Sequence, residues 1–337
     1  MKINKQVLLN WILIFRNLPS IVWRKHLLLF AATYISMIWT YYSFSLGSNV
    51  PVKLFHSFLY GTILILILLS HELGHYIHAR QYGVEATLPL FIPLPFLSPF
   101  GTLGAFIRMR SLPPDKRALF DISYWGPAMS FFTSVPAIII GLLLSERVPV
   151  TTDDTGLLVG SNDLVFGSSL IFDLLIKICI PDSDGYSILL HPVAFAGWVG
   201  LFVTAINLFP IGQLDGGHIA FVFLGKRQKY IAYLFFGILI FLAFEVSTGW
   251  MFWILMLFIM GLRHPNVRMQ DAGIHLDKMR IRQGIFAAIF FVICFIPEPL
   301  KSIIKPQLKI PHQIEDTFQN FHNINYSCKS QIEINYK

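Results

Sequence analysis

Charge is what this sequence has least of. Of its 337 residues only 13% are Asp, Glu, Lys or Arg, about half of the roughly 25% usual in a soluble domain. So few polar groups cannot cover the apolar remainder, 55% of the chain, in contact with water. That excludes a soluble globular enzyme and, by the same composition, a disordered chain. Cysteine is nearly missing: Cys179, Cys294 and Cys328 are too few and too scattered for a disulfide scaffold or a thiolate metal site. Acidic groups are scarce as well, 19 against 26 Lys and Arg. In an apolar chain that excess reads as basic loops held at a cytoplasmic membrane face, with no nucleic acid among the expected partners.

What is there is a series of apolar runs. They predict an all-α polytopic membrane protein of about seven transmembrane helices, with spans near 27–46, 54–78, 118–144, 188–209, 230–246, 250–262 and 285–296. Loop charges agree with that count. Lys2, Lys5, Arg16, Arg24 and Lys25 precede the first span, and Arg80, Arg108, Arg110, Lys116 and Arg117 dominate the stretch after the second. The polar loop 146–187 is instead rich in Asp. Alternation of this kind puts the N-terminus on the cytoplasmic side and the C-terminal tail on the other. Segment 1–26, with no small-residue cleavage site after its apolar stretch, reads as a cytoplasmic, interfacial lead-in. A membrane domain follows over 27–297, then a tail over 298–337.

One apolar stretch breaks the pattern. Residues 88–107 contain four prolines and two glycines, which an ordinary spanning helix does not tolerate. Both flanks belong on one side by charge, so the stretch reads as a re-entrant element dipping in from the cytoplasmic face. Its end, from Gly101 to Ile107, has the character of a strand or hairpin, whose free edge can pair with an extended peptide. A plug with no substrate contact is the other reading.

The chemistry sits at the end of the second span. His71-Glu72-Leu73-Gly74-His75 is an H-E-x-x-H whose spacing puts both imidazoles on one helix face, one turn apart, within reach of a single Zn²⁺. Glu72 lies beside that face, where a carboxylate can take a proton from water. Ionisable side chains are costly within a span and are functional there by default. Catalytic zinc takes three protein ligands and keeps a position open. The third candidate is Asp215, which ends the uncharged stretch 186–214 and precedes Gly216-Gly217. His78 reads as a solvent-edge residue, and His218 stands too close to Asp215 to be a fourth ligand. Asp121 belongs to a buried network in the third span or else sits at the membrane edge.

An H-E-x-x-H on one span with N-x-x-P-x-x-x-L-D-G-G on a later one, from Asn207 to Gly217, resembles the site-2 proteases, a family of intramembrane zinc metalloproteases. The resemblance implies zinc on His71, His75 and Asp215, Glu72 as catalytic acid/base, and Asn207 contributing to the active-site environment. It also implies a three-helix catalytic core, with Gly126-Pro127 matching a feature of the middle helix. Gly101, Thr102, Gly104, Ala105 and Phe106 resemble the substrate-facing strand region. The implied partners are a transmembrane protein substrate and the lipid bilayer, and the active site would open to the cytoplasm. The pattern without a PDZ domain is that of the compact branch. Two other classes stay open on residues alone: a membrane transporter or metal-binding protein, and a protease-like scaffold without catalysis.

Overall fold

The computed structural model describes residues 20–45, 49–149, 156–159, 165–181, 185–262 and 276–301. Most of the lead-in expected over 1–26, and the tail from residue 302, lie outside the described residues.

The protein is mostly helical. Helix α1 is Ser20–Phe44 and α2 is Val50–Gln81; α3, Lys116–Leu143, follows the hairpin of β1 (Leu90–Pro93) and β2 (Thr102–Phe106). Next come β3 (Glu146–Pro149), β4 (Leu157–Leu158), β5 (Val165–Phe166), α4 (Leu170–Cys179) and β6 (Tyr186–Leu189). Then α5 is Pro192–Asn207, α6 Asp215–Leu224, α7 Gln228–Glu245, α8 Trp250–Met260, α9 Lys278–Cys294 and β7 Leu300–Lys301. Three helical stretches, Val50–Gln81, Lys116–Leu143 and Asp215–Glu245, are long and apolar enough to cross a membrane, and Pro192–Asn207 and Trp250–Ile259 are shorter apolar helices. The last stretch runs from α6 through a single 3₁₀ turn into α7.

Local chemistry sets the helix starts. Asn49 accepts from the Val52 amide at 3.4 Å ahead of α2, and Asp115 accepts from the Ala118 amide at 2.8 Å ahead of α3, each satisfying an amide with no partner inside its helix. Pro192 occupies the first turn of α5, where its missing N–H costs nothing. Helix α9 begins seven residues before the apolar run that predicted a span from 285, because its first turns carry Arg280, whose charge is paired inside the protein.

Helix α3 lies between α2 and α5, and small residues let it approach both closely. An added Cβ on Gly197 of α5 would come within 2.5 Å of Ile138 and 3.0 Å of the Ser134 carbonyl on α3. Backbones that approach this closely gain packing contacts where lipid supplies no hydrophobic drive. Gly197→Val is therefore expected to lower stability by about 1–3 kcal/mol through overpacking, read as a lower thermal midpoint in detergent. An unchanged midpoint would mean that the seam yields at no cost. Rings fill the core between helices: Tyr41 of α1 stacks on Tyr60 of α2 at 4.8 Å, Tyr60 on Phe195 of α5 at 5.3 Å, and Trp198 on Phe202 at 5.5 Å.

Among the described residues of 146–189 the chain forms four short strands and a helix. Strands β3, β6, β4, β5 and β7 form a sheet in that order, with β4 parallel to β6 and the other pairs antiparallel. Strands of two to four residues are too short for an alternating pattern to announce them. Helix α4, capped by Ser169, packs against α3 and α9, and the Trp198 indole donates to the Gly167 carbonyl at 2.8 Å.

The helix ends sort by these contacts. Near the sheet, His191 ahead of α5 bonds Ser145 after α3, Ser247 after α7 bonds Leu300, and the Trp250 indole at the start of α8 bonds Pro297 after α9. At the opposite end His26 of α1 bonds Pro89 after α2, Gly212 bonds Leu262 after α8, and Gln228 of α7 bonds Pro210.

The β1–β2 hairpin starts at this second end and reaches back along α1 and α2. Ser36 and Thr40 of α1 donate to the carbonyls of Gly101 and Pro95, and the Tyr60 hydroxyl of α2 donates to that of Phe100. Gly101 has φ +79°, and a Cβ there would come within 2.7 Å of the Met37 backbone. Only glycine satisfies both conditions.

Candidate active site

The H-E-x-x-H lies in the last turns of α2. His71, Glu72 and His75 are 3%, 4% and 8% exposed, and the two imidazoles sit 4.8 Å apart at 70°. Their approach to α3 depends on two glycines. A Cβ on Gly74 would collide with the Trp125 carbonyl, and one on Gly126 would collide with the His75 ring itself. Gly126-Pro127, singled out in the sequence, thus sits where α3 makes room for an imidazole.

The His75 Nδ1–H donates to the Ile122 carbonyl of α3 at 2.7 Å. That bond fixes the tautomer and leaves Nε2 with a free lone pair.

Asp215 arrives from α6. After α5 the chain turns through Pro210, and Gly216 and Gly217 fold tightly onto the turn 208–212, where added Cβ atoms would strike the Leu208 and Gly212 carbonyls. This sets Asp215 at the start of α6, with Oδ2 3.4 Å from His71 Nε2 and 3.3 Å from His75 Nε2. One ligand atom from each of the three lies within 4.8 Å of the others, an arrangement able to hold a metal ion. Asn207, the last residue of α5, puts Nδ2 3.4 Å from His71 Nε2.

The donor set fits a single cation by its chemistry. Two imidazole nitrogens and a carboxylate oxygen are ordinary zinc ligands and leave a tetrahedral position open. Glu72 Oε2, buried and without a hydrogen-bond partner, is expensive to leave unmatched, which is reasonable for a group that faces a reactant. The backbone of Ile107, just past β2, lies beside the Glu72 carboxylate.

A cavity of about 320 Å³ opens over these groups. Ala105 and Phe106 line it, and Gly104 and Ala105 line a smaller neighbour that also reaches Glu72 and Asn207. Gly101 and Thr102 line neither of these cavities; Gly101 is packed on α1, and the Thr102 hydroxyl donates to the Ile92 carbonyl within the hairpin. His218 lines the larger cavity. His78 is half-buried, with its ring stacked on Trp125 at 5.0 Å and 3° and its Nδ1 2.9 Å from the Gly74 carbonyl. Trp253, Met256 and Leu257 of α8 also line the larger cavity, and no sequence signal separates them from any other apolar residue of that run.

Residues 60–245 match the model of peptidase family M50. The chain belongs to that family, the family of the site-2 proteases. The match begins in α2 and ends with α7, so every candidate ligand lies within it, while α1, α8 and α9 lie outside. Among similar M50 relatives is a protein named probable zinc metalloprotease EGY1, chloroplastic, of Oryza sativa subsp. japonica. It is 37% identical over 166 residues, 47% of this chain and 26% of that protein. The Arabidopsis thaliana protein of the same name is 37% identical over 157 residues, 45% of this chain and 27% of its own length. A probable zinc metalloprotease EGY2, chloroplastic, of Oryza sativa subsp. indica is 25% identical over 244 residues, 71% of this chain and 43% of that protein. The chain thus spans between a quarter and under half of the length of these curated relatives.

Proposed function

We propose that this M50 chain is a zinc-dependent intramembrane endopeptidase that hydrolyses a peptide bond within or near a transmembrane segment of a membrane-protein substrate. The observation that carries the proposal is the convergence of His71, His75 and Asp215 donor atoms within 4.8 Å, with the unpartnered Glu72 Oε2 beside them. Neither a transporter nor a scaffold accounts for an acid that is held next to the ligands without being one of them.

His71, His75 and Asp215 would hold the zinc. When bound, the ion supplies Lewis acidity that polarises the scissile carbonyl and eases deprotonation of the attacking water. Glu72 takes the water proton on Oε2 as the carbon–oxygen bond forms, then returns it to the amine nitrogen as the carbon–nitrogen bond breaks. Asn207 donates from Nδ2 to the substrate carbonyl oxygen as that oxygen gains charge. The scissile segment must be extended, because a helix keeps its carbonyls bonded. Among the described residues strand β2 pairs with β1 on one side only, so its other edge offers backbone partners to an extended peptide, with Gly104, Ala105 and Phe106 beside Glu72.

The setting is a bilayer crossed by seven helices: α1, α2, α3, α5, α6–α7, α8 and α9. Successive helices run in opposite directions by their end contacts, which supports this count. The loop charges give a cytoplasmic N-terminus, a catalytic opening on that side and an extracytoplasmic tail. His71 lies about 27 Å beyond Lys53 at about 1.5 Å per residue, within a hydrocarbon layer of about 30 Å. Tyr60, which bonds the hairpin turn, is about 16 Å deeper by the same rise. The hairpin is thus the re-entrant element, with its backbone bonded to α1 and α2 rather than left bare in lipid.

Metal analysis tests the core of this reading. Purified protein in detergent is expected to carry about one zinc per chain, and His71→Ala and Asp215→Ala are each expected to lose it on gel filtration. Retention undiminished by Asp215→Ala would break the three-ligand centre.

A further inference from the structure

Arg280 reads in the sequence as one more basic loop residue, yet the structure gives it four hydrogen bonds. Its Nε donates to Asp121 Oδ1 at 2.9 Å and its Nη2 to Asp121 Oδ2 at 2.6 Å. Nη2 also reaches the Tyr82 hydroxyl at 2.9 Å, and Nη1 reaches Asp277 Oδ1 at 2.9 Å. Tyr82 in turn donates to the same Asp121 carboxylate. One guanidinium on α9 therefore joins the first turns of α3 to the residue that ends α2. Two parallel bonds from a planar fork to a carboxylate are the strongest and most directional form of this pairing.

The consequence lies one residue further on. Asp121 is followed by Ile122, whose carbonyl receives the His75 Nδ1–H. Ile122 is itself buried against Ala79 and Val84, so this turn of α3 has little freedom apart from what Asp121 does. Were Arg280 lost, Asp121, only 8% exposed, would keep a carboxylate out of water without its cation. Such a group pulls its helix turn toward solvent or relaxes around it.

We propose that Arg280 is a positioning residue for the metal centre. Through Asp121 and the Ile122 carbonyl it holds the His75 imidazole in the orientation that ligates, so a helix outside the family-matched segment sets how firmly the centre keeps its ion. This rests on the reading of His71, His75 and Asp215 as zinc ligands. Groups that orient a ligating imidazole commonly change metal affinity by about 10–100-fold. Helix α9 has other attachments that do not involve this network. Phe290 stacks on Phe131 of α3 at 4.4 Å, and Gly284 lies against the Phe223 ring of α6. The two kinds of contact can therefore be separated by mutation.

The test uses the full chain in detergent, with wild type, Arg280→Ala, Arg280→Lys and Phe290→Ala compared. Three quantities are read: the rate of zinc loss to a chelator, the visible spectrum of the cobalt(II)-substituted protein, and the thermal midpoint of the metal-free protein. Arg280→Ala is expected to release zinc about tenfold faster or more and to shift the cobalt bands. Arg280→Lys, which keeps the charge and loses the paired bonds, is expected to fall between that variant and wild type. Phe290→Ala is expected to lower the metal-free midpoint and leave zinc release unchanged. Zinc held by Arg280→Ala as by wild type overturns the proposal, as does Phe290→Ala loosening zinc equally. If the alanine variant does not fold, Arg280→Lys decides, and release indistinguishable from wild type overturns the assignment. A wild-type chain that binds no zinc overturns the ligand reading itself, which is a different result.

Discussion

Glu72→Gln is expected to abolish cleavage while leaving the metal in place. Glutamine preserves the shape of the side chain and the contact to the Ile107 backbone, but its amide cannot take up a proton at neutral pH. General acid–base groups contribute about 10²–10⁴-fold in rate. Glu72 would serve twice, toward water and then toward the leaving amine, which places the expected loss at the upper part of that range. The measurement is single-turnover cleavage of a helical substrate in proteoliposomes, with zinc per chain determined on the same preparation. Intact zinc and absent cleavage separate a protease from a metal carrier, in which Glu72 would have no such role. Cleavage at a tenth of the wild-type rate or more would remove Glu72 from the mechanism. Zinc lost together with cleavage would make Glu72 a ligand rather than an acid/base.

The second large effect is expected from a methyl group. A Cβ on Gly126 would overlap the Cε1, Nε2 and Cδ2 positions of the His75 ring. The ring has nowhere to retreat. Its Nδ1 is bonded to the Ile122 carbonyl at 2.7 Å, and the His71 ring stands 4.8 Å away. Gly126→Ala is expected to weaken zinc retention about tenfold or more, in the range seen when a ligating imidazole is disturbed, and Gly126→Val to abolish it. Competition with a chelator reads the first effect, and metal content after gel filtration the second. Gly237→Ala on α7 is the control. Its new Cβ would meet nothing within 4 Å, and alanine gains about 1 kcal/mol of helix propensity over glycine, so zinc and activity should be unchanged. Full zinc on Gly126→Val would mean that α2 and α3 separate freely, and the tight seam would lose its functional meaning.

The parts legible in sequence were those governed by short periods. His71 and His75 stand four residues apart, and one helical turn turns that spacing into a shared face without any knowledge of the fold. Each long apolar run overlaps a helix among the described residues for the same reason, with ends displaced by up to seven residues, and three helical stretches are long and apolar enough to cross a membrane. Asp215 stood out because it ended a long uncharged stretch. The rest depends on contacts between distant segments. Strands β4 and β5 have two residues each and form by pairing with each other and with β6 and β7 from elsewhere in the chain. Trp253 reaches the cavity through the packing of α8, and nothing in its own neighbourhood distinguishes it from Trp250, which turns into the core. Gly101 and Thr102 belong by resemblance to one substrate-facing strand region with Gly104 to Phe106, and what the residues alone do not show is that this strand's start is held on α1 and within the hairpin. Asp121 reads in the sequence as either a network residue or a membrane-edge one, and the position of α9 decides for the network.

The sheet has a consequence for the order in which the molecule is assembled. Val165 and Phe166 pair with Lys301 and Leu300, and everything from α4 to α9 is synthesised between the two partners. The β5 edge that takes β7 therefore waits, unpaired, until α9 has been made. The ligand-bearing helices are by then already present. Chain termination anywhere before Leu300 leaves this strand edge open, a template for pairing with another chain and a feature that sets an unfinished molecule apart from a finished one.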